Sequence, residues 1–232
     1  LLPREDPEVS AAIEQYFGDE GIRVLTAHDL VNFKNSDGRS DGSKTAVARH
    51  ENKEVEIPFT QVLIALGRKA NTDNFGLQNL GVAINDNGTV SVNDYLQTSI
   101  PNIFACGDVA GPYQFTHMAS HQAWFVAVNS LFGSFKKFRV NYKVVPWATF
   151  TDPEVARVGL NESEAKGQGI EFEVTRYDIE DLDRAIADGE NRGFVKILTV
   201  PGKDKILGAT IVGYHAAELL NEFVLAMTHG LG

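Results

Sequence analysis

The segment NIFACGDVAGPYQFTH, residues 102–117, constrains the fold more than any other part of the chain. A short apolar run ends in Cys106-Gly107-Asp108, passes through Gly111 and Pro112, and opens into an apolar stretch with helical spacing from about Thr116 to Phe132. Strand, glycine turn and helix in this order are the parts of an α/β layer, in which ligands lie beyond the carboxyl end of a strand and near the N-terminus of the next helix. Asp108 is the informative residue. A carboxylate at the end of a buried run requires polar partners to offset its desolvation. It fits either a cap on the loop or a pair of acceptors for the hydroxyl groups of a ligand. The pattern alone accommodates both.

A second apolar run, QVLIALG (61–67), is bounded by glycine and reads as a strand buried on both faces of a parallel sheet. Ahead of it, PEVSAAIEQYFGDEG (7–21) places Val9, Ile13, Tyr16 and Phe17 on one helical face. Residues 30–57 alternate as a small antiparallel meander, with a turn expected at NSDGRSDGS (35–43). TVSVND and NIFAC are expected as further short strands. After SFKKFRVNYK, the best linker candidate, the pattern changes. VVPWATF, EVARVGL, FEVTRYDI, GFVKILTV and KILGATIVGY read as strands, the last two joined by hairpin chemistry at PGKDK. Short helices are expected at NESEAKGQG and LDRAIADG, and a long amphipathic helix at 215–230. The second half is therefore α+β with an antiparallel sheet, its helices expected on one side.

Charge excludes some functions. The formal net charge is −10 and the densest basic cluster is FKKFR, so neither nucleic acid nor an anionic membrane finds a positive face. One cysteine, Cys106, leaves no disulfide or CxxC pair within the chain and suits a reducing cytoplasm. His117 and His121 stand four apart on a helix with no third ligand evident, so no metal site is expected. Glu154 and Glu218 read as structural, and no residue of the chain is assigned a catalytic role.

NIFACGDVAG, preceded by YLQTSIP, resembles the second FAD-binding segment of the pyridine nucleotide-disulfide oxidoreductases. VLIALGRKANTDNFGL resembles the end of that family's NAD(P)-binding domain, with alanine where the usual Gly-Arg-x-Pro-Asn has proline. TFTDPEVARVGLNESEA and LGATIVGYHAAELLNEFVLAM are similar to the start and the long helix of its dimerisation domain.

The resemblance implies three parts. Residues 1–75 would close an α/β, Rossmann-like NAD(P)-binding domain, 76–140 would close the FAD-binding domain, and 141–232 would form the dimerisation domain of a homodimer. It implies that Asp108, beside Gly107, binds the ribityl hydroxyls of FAD. The backbone around Phe115, Thr116 and His117 would face the flavin pyrimidine edge, and Gly67 and Arg68 would border the nicotinamide nucleotide, NAD(P)H.

FTDPEVARVG and DLDRAIADGENRGFVKIL look closer to mercuric reductases than to glutathione reductases, while PYQFTHMASHQAW departs from the dihydrolipoyl dehydrogenase form. The expectation is a mercuric reductase-like or dihydrolipoyl dehydrogenase-like enzyme passing hydride through flavin to a redox disulfide and then to an acceptor. The family's glycine-rich phosphate loops, CxxxxC pair and acid/base histidine are expected outside these 232 residues, and the chain alone is expected to be inactive. A non-catalytic dimerisation or assembly module and a nucleotide-binding domain without a redox role are the alternatives.

Overall fold

The computed structural model describes residues 1–35 and 44–232, so most of the turn expected at 35–43 lies outside the described residues. The chain forms two compact units. One combines Leu1–Leu66 with Ala148–Gly232, and the other is Gly67–Trp147.

The first unit is built on an antiparallel sheet that reproduces the alternating segments of the second half. Its strands are β4 (Pro146–Thr149), whose first two residues belong to the other unit, β5 (Glu154–Gly159), β6 (Glu173–Asp178), β7 (Phe194–Thr199) and β8 (Ile206–Gly213), in the order β4-β5-β8-β7-β6. Helix α1 (Pro7–Asp19) lies against this sheet, although more than a hundred residues separate them in sequence. Register explains the fit. Val155, Val212 and Phe194 are cross-strand neighbours in one row, and Val9 and Ile13 of α1 pack on them. Arg157, Thr210 and Lys196 form the adjacent row on the same face, because side chains recur every second residue. That polar row meets the acidic residues at the start of α1.

The intervening residues Ala209 and Ile211 alternate to the opposite face and are also buried. There β8 and β5 pack against α5 (Ala216–His229), through Ala216 and Leu220. Helices therefore cover both faces, not one, because α1 arrives from the far end of the chain. Two short helices, α3 (Glu162–Gly167) and α4 (Asp183–Asp188), stand where the sequence places them. Asn161 caps α3 in a reciprocal box with Glu164. The meander also forms, as β1 (Asp29–Asn35), β2 (Lys44–His50) and β3 (Lys53–Phe59) in order β1-β2-β3.

The apolar run at 61–67 does not form a strand, and Leu63 is 91% exposed. A strand buried on both faces needs neighbours for its N–H and C=O groups as well as apolar cover. No strand of the described residues pairs with it.

The second unit holds α2 (Thr116–Phe132), a single 3-10 turn at Gly107–Val109, and irregular chain. TVSVND and NIFAC contribute only isolated bridges, Ile84 to Val90 and Gln97 to Phe104. Its core is Ala70, Val82, Val90, Leu96, Ala110, Met118 and Val145. The buried face of α2 carries Met118, Gln122 and Asn129, while Trp124 and Leu131 are exposed. Two amides thus stand where an apolar stripe is expected. Both are satisfied: Asn129 accepts from Phe138 N at 2.8 Å and donates to Phe138 O at 2.8 Å, and Gln122 brackets the turn described below. No helix of the described residues is long and apolar enough to cross a membrane.

Candidate functional site

The chemistry gathers in the second unit at the 3-10 turn. Gly107 has φ +76°, in the left-handed region that favours glycine. A Cβ built there would stand 3.1 Å from Ala119 Cβ, so the glycine also permits the close approach of the turn to α2. The turn closes with Ala110 N and Gly111 N donating to Gly107 O at 2.9 and 3.0 Å.

Asp108 follows on the turn and remains part-exposed. Its Oδ2 accepts from Arg68 Nη1 at 2.7 Å, and Arg68 Nη2 donates to Gln114 O. Arg68 therefore ties the carboxylate to the chain entering α2. The other carboxylate oxygen, Oδ1, has no hydrogen-bond partner among the described residues. No backbone N–H among the described residues takes the Asp108 carboxylate as a cap; its partner is Arg68.

Phe115 occupies the N-cap position of α2 and brings no side-chain oxygen, so the first-turn N–H groups of Thr116, His117 and Met118 have no partner among the described residues. With the positive end of the helix dipole they favour an anionic or acceptor group. Tyr113, Phe115, His117 and Trp147 form a near-parallel aromatic series beside this helix start. Phe115 lies 5.3 Å from the His117 ring and 6.3 Å from Trp147. His117 Nε2 stands 2.9 Å from Pro146 O, an arrangement in which Nε2–H donates to the carbonyl. Of the residues expected from the sequence, Arg68 and Asp108 are in direct contact, and Arg68 also reaches the carbonyl of Gln114, which the sequence did not single out. Gly67, with φ +105°, faces open space. His121 contacts Phe125 at 4.9 Å and joins no ligand cluster among the described residues.

Sequence reasoning passed over Gln122, which is fully buried. Its Oε1 accepts from Gly107 N at 2.5 Å, while Nε2 donates to Gly111 O at 2.8 Å and to Tyr142 Oη at 2.9 Å. The available signal was a polar residue four positions after Met118 on a helix otherwise read as apolar. Burial pushes the Tyr142 phenol up, against the lowering effect of the Gln122 hydrogen bond.

A second ionic group lies in the first unit. Lys196 Nζ pairs with Asp6 at 2.6 Å, with Glu162 at 3.1 Å and with Glu8. Arg157 pairs with Glu5 at 3.0 Å and Glu164 at 2.6 Å, and donates to Arg4 O at 3.0 Å. The carboxylates of Asp6, Glu8 and Glu162 lie within 4.8 Å of one another, as for a cation, and the chain's own ammonium occupies that role. Burial pushes the Asp6 carboxyl up, but the Lys196 hydrogen bond and the N–H groups of Ser163 and Glu162 outweigh it and hold it below its ordinary value. Lys166 and then Lys196 hold Glu162 below its own, against burial. Burial alone would lower Lys196; its three carboxylate partners raise it. Glu154 is structural, its Oε2 accepting from Ala217 N at 3.1 Å at the start of α5.

The Asp108 turn and the start of α2 belong to one unit, and the five-stranded sheet with its long helix to the other. Residues 1–123 match the family model described as pyridine nucleotide-disulphide oxidoreductase, and residues 145–232 match that of the family's dimerisation domain. The chain belongs to the pyridine nucleotide-disulphide oxidoreductase family.

Among its relatives, a dihydrolipoyl dehydrogenase of Chlamydia muridarum is 33% identical over 231 residues, covering 100% of this chain and 47% of that protein. A mercuric reductase of Staphylococcus aureus is 34% identical over 232 residues, covering 100% of this chain and 41% of that protein. Among solved structures, the HOCl-induced flavoprotein disulfide reductase RclA from Escherichia coli superposes with a TM-score of 0.84 at 26% identity, over 99% of this chain and 51% of that one. The chain spans about half the length of the curated relatives it matches.

Proposed function

We propose that this chain forms the later part of an FAD-dependent pyridine nucleotide-disulfide oxidoreductase, in which Asp108 holds the ribityl hydroxyls of FAD. When bound, FAD would take hydride from NAD(P)H and pass the electrons to a redox disulfide and onward to an acceptor. The observation that carries the reading is the free oxygen of Asp108 beside the open N–H groups of α2. The donor set fits the cofactor: a carboxylate accepts from hydroxyls, and a helix start offers N–H groups to a ring that gains negative charge.

Each residue then has a task. Arg68 keeps the Asp108 carboxylate aimed, while Gly107 lets the turn lie close to α2. Phe115, Thr116 and His117 present backbone to the flavin edge, and Gly67 borders the nicotinamide nucleotide. The acceptor stays within the mercuric reductase-like and dihydrolipoyl dehydrogenase-like alternatives, since the identities of 34% and 33% do not separate them. Dimerisation would use residues 141–232; Leu219 and Leu225 on α5 are 51% and 59% exposed and supply apolar surface for a second copy. A net charge of −10 and a single cysteine suit a cytoplasmic enzyme of small-molecule partners, with neither nucleic acid nor membrane as a partner.

Asp108→Ala in the intact protein that contains this chain tests the reading. The wild type should purify yellow, and the variant should lose flavin absorbance and NAD(P)H–dye reductase activity together. Full retention of both by the variant overturns the assignment. The isolated 232 residues should be colourless and inactive.

A further inference from the structure

We propose that Gln122 is a positioning residue for Asp108, acting through the backbone of the Gly107–Gly111 turn. The inference rests on the reading of Asp108 as the acceptor for FAD hydroxyls.

A buried glutamine is most simply a core residue whose polar atoms happen to be satisfied. Here two of its three bonds converge on one short turn. Oε1 takes the N–H of the residue before Asp108, and Nε2 takes the carbonyl three residues after it, at 2.5 and 2.8 Å. One planar amide therefore fixes the distance between the two ends of the turn that presents the carboxylate. Tyr142 Oη, at 2.9 Å, accepts the second Nε2 proton and fixes which way the amide faces. With the acceptor facing Gly107 and the donors facing Gly111 and Tyr142, a reversed amide would set donor against donor and leave acceptors unmatched.

No other side chain of similar size supplies this set. An ionised glutamate keeps the acceptor for Gly107 N and loses both donors; methionine loses all three. Arg68 restrains the same carboxylate from the exposed side. Gln122 is the buried half of that support, and a ligand held by one free oxygen is sensitive to small displacements of it.

The test uses the intact flavoprotein and compares Gln122→Met, Gln122→Glu, Asp108→Ala and the Gln122→Met/Asp108→Ala double variant by FAD dissociation constant. Gln122→Met should weaken FAD binding about tenfold, and Gln122→Glu, which buries a carboxylate against the Gly111 carbonyl, should weaken it at least as much. With Asp108 already removed, Gln122→Met should add less than about threefold, because a residue acting through Asp108 has nothing left to position. Gln122→Met with wild-type FAD affinity, or with effects that multiply fully in the double variant, overturns the inference. Should the methionine variant not fold, Gln122→Glu carries the same comparison with the same two outcomes. If Asp108→Ala binds FAD like the wild type, the flavin reading itself fails, whereas a weakened Asp108→Ala beside a neutral Gln122→Met overturns the positioning role alone.

Discussion

Two cation–carboxylate groups, one in each unit, show how burial divides structure from function. Lys196 and Arg157 have side chains 1% exposed, and their ionic partners come from two places far apart in sequence, the start of α1 and the start of α3. Arg68 and Asp108 pair at a similar distance with side chains 60% and 39% exposed. The first group leaves little to offer a ligand, since its charges face one another inside the protein. The second leaves a carboxylate oxygen free and accessible. Depth makes the Lys196 group costly to break and unavailable to a ligand; exposure makes the Arg68–Asp108 pair weak as a staple and open to chemistry.

Breaking each group should expose the contrast. Lys196→Met leaves Asp6 buried without its counter-charge, and three carboxylates crowd one another. The first unit should lose about 3–5 kcal/mol, read from the midpoint of urea unfolding.

A smaller effect is expected from pH. Asp6 and Glu162 are depressed when folded, so their contribution is present above their unfolded values, about 4, and is lost as pH falls through the lower folded values. Lys196 is raised, so its contribution is complete below its unfolded value of about 10.5 and is lost only as pH rises beyond that. The clamp should therefore be whole between about pH 5 and 10 and fail first in acid. Circular dichroism of unfolding across that range checks this, and Lys196→Met should flatten the acid limb.

The smallest stability change belongs to Arg68→Ala. Its exposed pair contributes less than about 1 kcal/mol to folding, so the melting temperature should barely move while flavin affinity falls. A large loss of stability on removing Arg68 would erase the contrast between the two groups.

Much of the first unit was legible in the sequence. Its strands alternate, PGKDK supplies a hairpin, and α1 and α5 carry apolar positions at helical spacing. Asp108 and its flanking glycines were legible too, because a carboxylate at the end of an apolar run is anomalous wherever it falls. Lys196 and Arg157 carried the same anomaly as charges inside strands, yet nothing local indicates that residues 5–8 neutralise them. Gln122 and Asn129 were overlooked because apolar periodicity ignores a polar side chain whose partners lie 9 to 34 residues away.

The sequence by itself determined which segments alternate, which carry a helical stripe and which family they join. Those properties are local, set by side-chain period and turn chemistry. Only the tertiary structure decided that α1 crosses back to cover a sheet formed more than a hundred residues later, that 61–67 pairs with no strand of the described residues, and that a buried glutamine grips the Asp108 turn. Such outcomes depend on whether hydrogen bonds and charges find partners from distant chain, and a strand or a buried charge persists only where that partner is in place.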